Sequence, residues 1–239
     1  MTRINHTTPN PSIERTATGK PVSAAHVERW IFSEALNMEL EDPNCILLCK
    51  YTKALLVALG HRDFLTRLHS ERVLGISAAI GVGFGLSDKE LCILKLSAAF
   101  HDIGKIGTPD SILLKSSQFD EAEWEIMKRH SEIGEQIMAA TEIEGSQQAS
   151  LVIRHHHEHY NGKGYPDSLS GEEISICSRI ISIADSYDAM AVTRAYHRAR
   201  THTEIMTILH EETGEKYDPN LMRTFCSVIE SSKFRAARI

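Results

Sequence analysis

ISICSRIISIADSYDAM, residues 174–190, decides the fold. Its first ten residues are rich in isoleucine, and β-branched side chains favour strands. Taken alone they pass for a buried strand. The apolar positions nevertheless continue at three- and four-residue spacing through Ala184, Tyr187 and Met190, which a strand does not do. The stretch therefore reads as a helix. Strand signals are nearly absent elsewhere, so the chain reads as all-α.

Working outward, amphipathic runs follow one another along the sequence. HVERWIFSEALNMELED (26–42) ends at Pro43, and NCILLCKYTKALLVALG (44–60) closes on Gly60 as a C-cap. RDFLTRLHSERVLGISAAIGVGFG (62–85) ends in glycines. SDKELCILKLSAAFHDIG (87–104) opens with Ser87 and Glu90, a capping box. FDEAEWEIMKRHSEIGEQIMAA (119–140) reads as one helix capped by Asp120. SQQASLVIRHHHEH (146–159) reads as a helix that carries His156 and His157 at its end. Two weaker helices lie at 201–213 and 218–231. This predicts one helical bundle with an N-terminal helical extension. The expected divisions are a loosely packed segment 1–23, N-terminal helices 24–60 on the bundle, the main domain 61–232 and a tail 233–239.

Composition narrows the function. With 239 residues, 42% of them hydrophobic, the chain can bury a substantial core. A net charge of −6 argues against a basic surface for polymeric nucleic acid. No apolar run has the length of a membrane span, and the N-terminus lacks the apolar core of a signal peptide. The five cysteines, Cys45, Cys49, Cys92, Cys177 and Cys226, form no CxxC pair. They read as reduced thiols of a cytoplasmic protein.

Among the 13 histidines one subset is ordered along the helices. His69, the adjacent His101 and Asp102, His130, the adjacent His156 and His157, and Asp185 recur at separations of about 26 to 32 residues. That is one helix plus one loop, so each helix presents one or two donors. Bundles build metal centres in this way. Imidazole with carboxylate suits first-row transition metals, and five histidines with two aspartates exceed the needs of one ion. Two divalent ions bridged by Asp102 fit the inventory. Glu158 and Asp188 read as carboxylates that orient ligand imidazoles.

The stretches AAFHDIGKIGTPDSILLKSSQFDEAEWEIMKRHSEIGEQIM (98–138) and HHEHYNGKGYPDSLSGEEISICSRIISIADSYDAM (156–190) resemble the HD-GYP family of metal-dependent phosphohydrolases. The family takes its name from a His-Asp pair and a Gly-Tyr-Pro turn, here His101-Asp102 and Gly164-Tyr165-Pro166. HSERV (69–73) and YDPNLMRTF (217–225) extend the resemblance from about Arg62 to Phe225.

The resemblance implies an HD-domain helical bundle that hydrolyses cyclic di-GMP to pGpG, and onward to GMP, in bacterial second-messenger signalling. It implies iron or manganese on His69, His101, Asp102, His130, His156, His157 and Asp185. It makes Asp102 and Lys105 catalytic, and it gives Lys105, Tyr165, Arg194, His197 and Arg198 to the substrate. Members with three metals carry a glutamate where this chain has Leu65, which implies two ions here. Asn161 and Ala195 stand where the family has Asp and Pro. Diguanylate cyclases are among the signalling partners such proteins meet. Two other readings stay open: a catalytically weak nucleotide-sensing module with the same metal site, and a phosphohydrolase of another nucleotide.

Overall fold

The computed structural model describes residues 43–193 and 198–236. The expected helix at 26–42 and the segment 1–23 lie outside these residues, as do Arg194, Ala195 and His197. Ten α-helices are described: α1 (Pro43–Arg62), α2 (Phe64–Phe84), α3 (Asp88–Phe100), α4 (Asp110–Leu113), α5 (Glu121–Lys128), α6 (His130–Ala139), α7 (Ser146–Arg154), α8 (Ile176–Ala191), α9 (His202–Glu211) and α10 (Pro219–Ile229). Short 3-10 turns lie at Ile103–Gly107 and Gly171–Glu173. The described residues contain no strand beyond isolated bridges, so the fold is all-α. No described helix is long and apolar enough to cross a membrane.

The decisive isoleucine-rich stretch is helix α8. Cys177, Ile180, Ile181, Ile183, Ala184 and Tyr187 are all buried. Helix α8 packs on α2 and α3, and α6 on α7, which in turn packs on α3. The core runs through Val73, Ile76 and Ile80 of α2, Leu94 of α3, Ile153 of α7 and Phe225 of α10.

Local chemistry sets most helix ends. Ser87 and Glu90 form the capping box at α3, and Asp120 and Glu123 form one at α5. Gly85 ends α2 in the left-handed region at φ 86°, where a Cβ is costly. Gly60 does not cap α1, which continues to Arg62. A Cβ at Gly60 would lie 2.5 Å from the Arg67 side chain, so this glycine makes room for a neighbour.

Three further expectations need correction. The single helix expected over 119–140 breaks at Arg129 into α5 and α6. There the last carbonyls of α5, at Ile126 and Met127, are taken by the Arg129 amide, and His130 Nδ1 also donates to Met127. Helix α7 stops at Arg154, so His156 and His157 occupy the turn beyond it. Adjacent residues of a helix face different directions, and leaving the helix is what lets both rings face one pocket. Finally, Cys92 is disulfide-bonded, whereas Cys177 and Cys226 are free thiols.

The 3-10 turn after α3 lies against the start of α6. A Cβ on Gly104 would lie 1.8 Å from the His130 carbonyl oxygen and 2.6 Å from the Gly134 nitrogen. Backbone cannot yield as a flexible side chain does. Gly104→Ala is therefore expected to destabilise the fold by about 3 kcal/mol, the upper end of ordinary overpacking. Urea denaturation of the metal-free protein measures it, and an unchanged midpoint would contradict the close approach.

Candidate metal centre

The pocket is assembled from five places in the chain. His69 is buried in the second turn of α2. His101 and Asp102 lie where α3 gives way to the 3-10 turn. His130 opens α6, His156 and His157 follow α7, and Asp185 sits on α8. Two groups of donors are close enough to hold an ion each. In one, His69, His101 and Asp102 place a ligand atom each within 4.8 Å of one another, and in the other His130, His156 and His157 do the same.

Asp102 stands between the groups. Its Oδ2 is 3.5 Å from His101 Nε2 and 3.8 Å from His69 Nε2, while Oδ1 is 3.6 Å from His130 Nε2. Asp185 adjoins the first group, with Oδ1 2.9 Å from His69 Nε2. The second group is dense: His130 and His156 approach to 3.4 Å between Nε2 atoms, and the His156 and His157 ring centroids are 3.9 Å apart.

One device aims three of the imidazoles. Nδ1 of His101, His130 and His156 pairs with the carbonyl three residues earlier, at Ala98, Met127 and Ile153, over 2.8, 2.8 and 2.6 Å. With the proton on Nδ1, the Nε2 lone pair is left for the pocket. His69 is aimed by a carboxylate instead. Its Nδ1 is 2.7 Å from Asp188 Oδ2, and Arg72 donates to both Asp188 oxygens over 2.6 and 2.9 Å. Glu158 does not orient an imidazole. Its Oε1 accepts the Asp167 amide over 2.6 Å, which ties it to the glycine-tyrosine-proline turn.

The electrostatics fit cations. Burial opposes ionisation of Asp102, yet Lys105 and the imidazoles hold its carboxyl well below the usual range. Asp185 is held low in the same way, mainly by His69. Burial pushes His101, His130 and His157 down, and it takes His156 down to about 3. For His69 burial also opposes the charge, but the hydrogen bonds to Asp185 and Asp188 raise it to about 9. Four neutral imidazoles beside ionised carboxylates are the protonation states a divalent cation requires, and His69 would release its proton on joining them. His101 gives the sharpest sign. It is 0% exposed and its Nε2 has no hydrogen-bond partner. A buried ring nitrogen left without a partner costs free energy unless something binds it. The donors therefore fit divalent metal.

The surrounding loops are held firmly. Arg62, at the end of α1, pairs with Asp110 at 2.8 Å and donates to the carbonyls of Lys105, Ile106 and Thr108. Sequence reasoning placed Arg62 only at the edge of the resemblance and missed this staple. No spacing rule reveals it, because its acceptors are backbone carbonyls more than 40 residues away. Lys105 Nζ reaches Asp102 Oδ2 over 2.7 Å at the pocket edge. A Cβ at Gly164 would lie 2.2 Å from the His159 nitrogen, so only glycine lets this turn lie on the 158–159 backbone. The following Tyr165–Pro166 bond is cis. Tyr165 stacks on His157, with centroids 4.9 Å apart and planes 29° apart. Burial pushes its hydroxyl pKa up.

The remaining expected residues are more peripheral. Arg198 is exposed and pairs with Glu204 at 2.5 Å. His155 turns away from the pocket to Asp167, 2.8 Å away. Leu65, one turn before His69, is 64% exposed and offers no donor. Asn161 Oδ1 accepts the Lys163 amide over 3.1 Å, so it makes the turn contact that an aspartate would make.

The family model described as HD domain matches residues 55–221. A cyclic di-GMP phosphodiesterase response regulator of Xanthomonas campestris pv. campestris is 37% identical over 162 residues, covering 68% of this chain and 43% of that protein. A 3′3′-cGAMP-specific phosphodiesterase of Vibrio cholerae is 32% identical over 197 residues, covering 80% of this chain and 38% of that protein. The chain thus spans less than half the length of these curated relatives. Among solved structures, an HDG"Y"P protein of Bdellovibrio bacteriovorus superposes with a TM-score of 0.58 at 16% identity, covering 87% of this chain and 79% of that one. This last likeness concerns the fold alone.

The carboxylate that aims His69 gives a direct test. Asp188→Asn keeps the size but weakens the pairing with Arg72. It is expected to loosen metal binding about 10- to 100-fold, the usual cost of losing such a support. Competition against a chelator measures it. Unaltered affinity would show that Asp188 is packing only.

Proposed function

The chain belongs to the HD-domain family, in its HD-GYP branch, and on that footing we propose that it is a metal-dependent phosphodiesterase. Its substrate is cyclic di-GMP, opened to linear pGpG and cut onward to GMP. The observation that carries this reading is the position of Asp102, buried between two groups of histidines with its two oxygens facing different groups. His69, His101, Asp102 and Asp185 would hold one ion. His130, His156 and His157, with the other oxygen of Asp102, would hold a second. Nitrogen-rich ligands with carboxylate favour iron or manganese over magnesium or calcium. Leu65 supplies no donor for a third.

When bound, such a pair supplies Lewis-acid charge at phosphorus and activates water as the nucleophile. The chain itself does the rest. Asp102, ionised and fixed by Lys105, holds the two halves of the site in register. Lys105 has its ammonium at the pocket edge, where it can donate to a phosphoryl oxygen as negative charge builds there. Burial of His101, His130 and His156 keeps bulk water from the donors. Arg198 stands outside the pocket as an exposed cation that would have to leave Glu204 to meet a substrate phosphate. Arg194 and His197 complete the substrate contacts in this proposal.

Relatives named for cyclic di-GMP and for 3′3′-cGAMP both match. The shared chemistry is a cyclic dinucleotide, and cyclic di-GMP is the form proposed here. The experiment is metal analysis coupled to product identification on anaerobically purified protein. Expected are two iron or manganese ions per chain and conversion of cyclic di-GMP to pGpG. Asp102→Ala is expected to lose metal and to lower turnover by ~10²–10³-fold or more, as removal of a preorganised charge does. A folded Asp102→Ala protein with full turnover would refute the assignment.

A further inference from the structure

Trp124 on α5 is 44% exposed, and burial does not account for its place. Its ring is instead part of a wall. Phe119 stacks beside it, with centroids 6.4 Å apart and planes 23° apart. Tyr165 meets it edge to face at 6.3 Å. Tyr165 in turn lies on His157, a proposed metal ligand. Two ring-to-ring steps, of 6.3 and 4.9 Å, therefore lead from a solvent-facing indole to the metal centre. The wall is braced by ion pairs, Lys128 with Glu125 at 2.5 Å among them. Lys115 pairs with Glu123 at 2.5 Å and pins the loop before α5, and Lys128 Nζ lies 5.6 Å from the Tyr165 centroid.

The inner end of the wall offers charge for a phosphodiester, and the outer end offers a flat aromatic face. We propose that Trp124 is a base-binding residue that stacks a purine of the cyclic dinucleotide whose phosphate is held at the metal centre. The assignment rests on the phosphodiesterase reading and extends it outward. Stacking reads the π-face that every base has, so it is tolerant of base identity. Trp124 thus contributes affinity for either purine and leaves the choice between guanine and adenine to other groups.

The test uses the full metal-loaded chain with Trp124→Ala and Trp124→Phe. Initial rates on cyclic di-GMP and 3′3′-cGAMP give KM and kcat, and calorimetry of pGpG gives an affinity that needs no turnover. Trp124→Ala is expected to raise both KM values and the pGpG Kd about tenfold or more, by a similar factor for each, the range of one base–aromatic stack. Trp124→Phe is expected to restore most of that loss with unchanged metal content. An active Trp124→Ala enzyme with wild-type KM and Kd would overturn the subsite and leave the phosphodiesterase reading intact. Binding of pGpG that depends on Trp124, in a wild-type protein that hydrolyses neither dinucleotide, would keep the subsite and remove the phosphodiesterase reading. Absence of pGpG binding to the wild-type protein would overturn the subsite outright. A loss with Ala that Phe does not restore would also overturn it, since general damage to α5 then suffices.

Discussion

The structure turns on one constraint: three carboxylates and five imidazoles are gathered in one largely buried pocket. Asp102 and Asp188 are buried and Asp185 is half-buried, and their described cationic contacts are Lys105, Arg72 and a His69 that Asp185 and Asp188 push toward its charged form. Burying ionised groups is costly unless they are paired. His101 adds a buried nitrogen with no partner. A divalent cation would satisfy that nitrogen and the carboxylate oxygens beside it together. The pocket is thus a set of individually unfavourable placements that metal binding renders favourable, and metal affinity and fold stability are linked through it.

Helices alone do not aim these donors. Most sit where regular structure ends: His101 and Asp102 after α3, His130 at the start of α6, His156 and His157 beyond α7. At such ends carbonyls lack helical partners, and the imidazole Nδ1 atoms of His101, His130 and His156 pair with carbonyls there. One contact therefore completes a helix end and selects a tautomer. Around this ring, Arg62 staples the 3-10 turn, Gly104 lets that turn lie on α6, and Gly164 lets the tyrosine-bearing turn lie on the 158–159 backbone. Each support sets a donor or a pocket wall without touching the chemistry.

Much of this was legible in the sequence, and the reasons are physical. Helical periodicity in residues 174–190 outlasts its β-branched start, so α8 was readable and with it the all-α class. The order of His69, His101, Asp102, His130, His156, His157 and Asp185 was readable because each helix supplies a donor, and the structure brings these seven side chains into one pocket. The break at Arg129 was not readable, since the apolar pattern runs straight through it. The part played by Glu158 was misread for a similar reason: adjacency to histidines suggested an imidazole partner, whereas a tight turn brought the Asp167 amide to it. The disulfide at Cys92 was also not readable, since cysteine spacing alone does not report which thiols meet. Arg62 and Trp124 were given no role from the sequence, because their significance rests on what lies across from them.

The central claim is that these seven side chains grip two cations with Asp102 shared between them. Anomalous X-ray scattering at the iron and manganese edges, on crystals grown anaerobically, tests it most directly. The account predicts two peaks about 3.5–4 Å apart, the spacing of two-metal sites, with Asp102 reaching both. A single peak, or two peaks neither of which Asp102 touches, would contradict it.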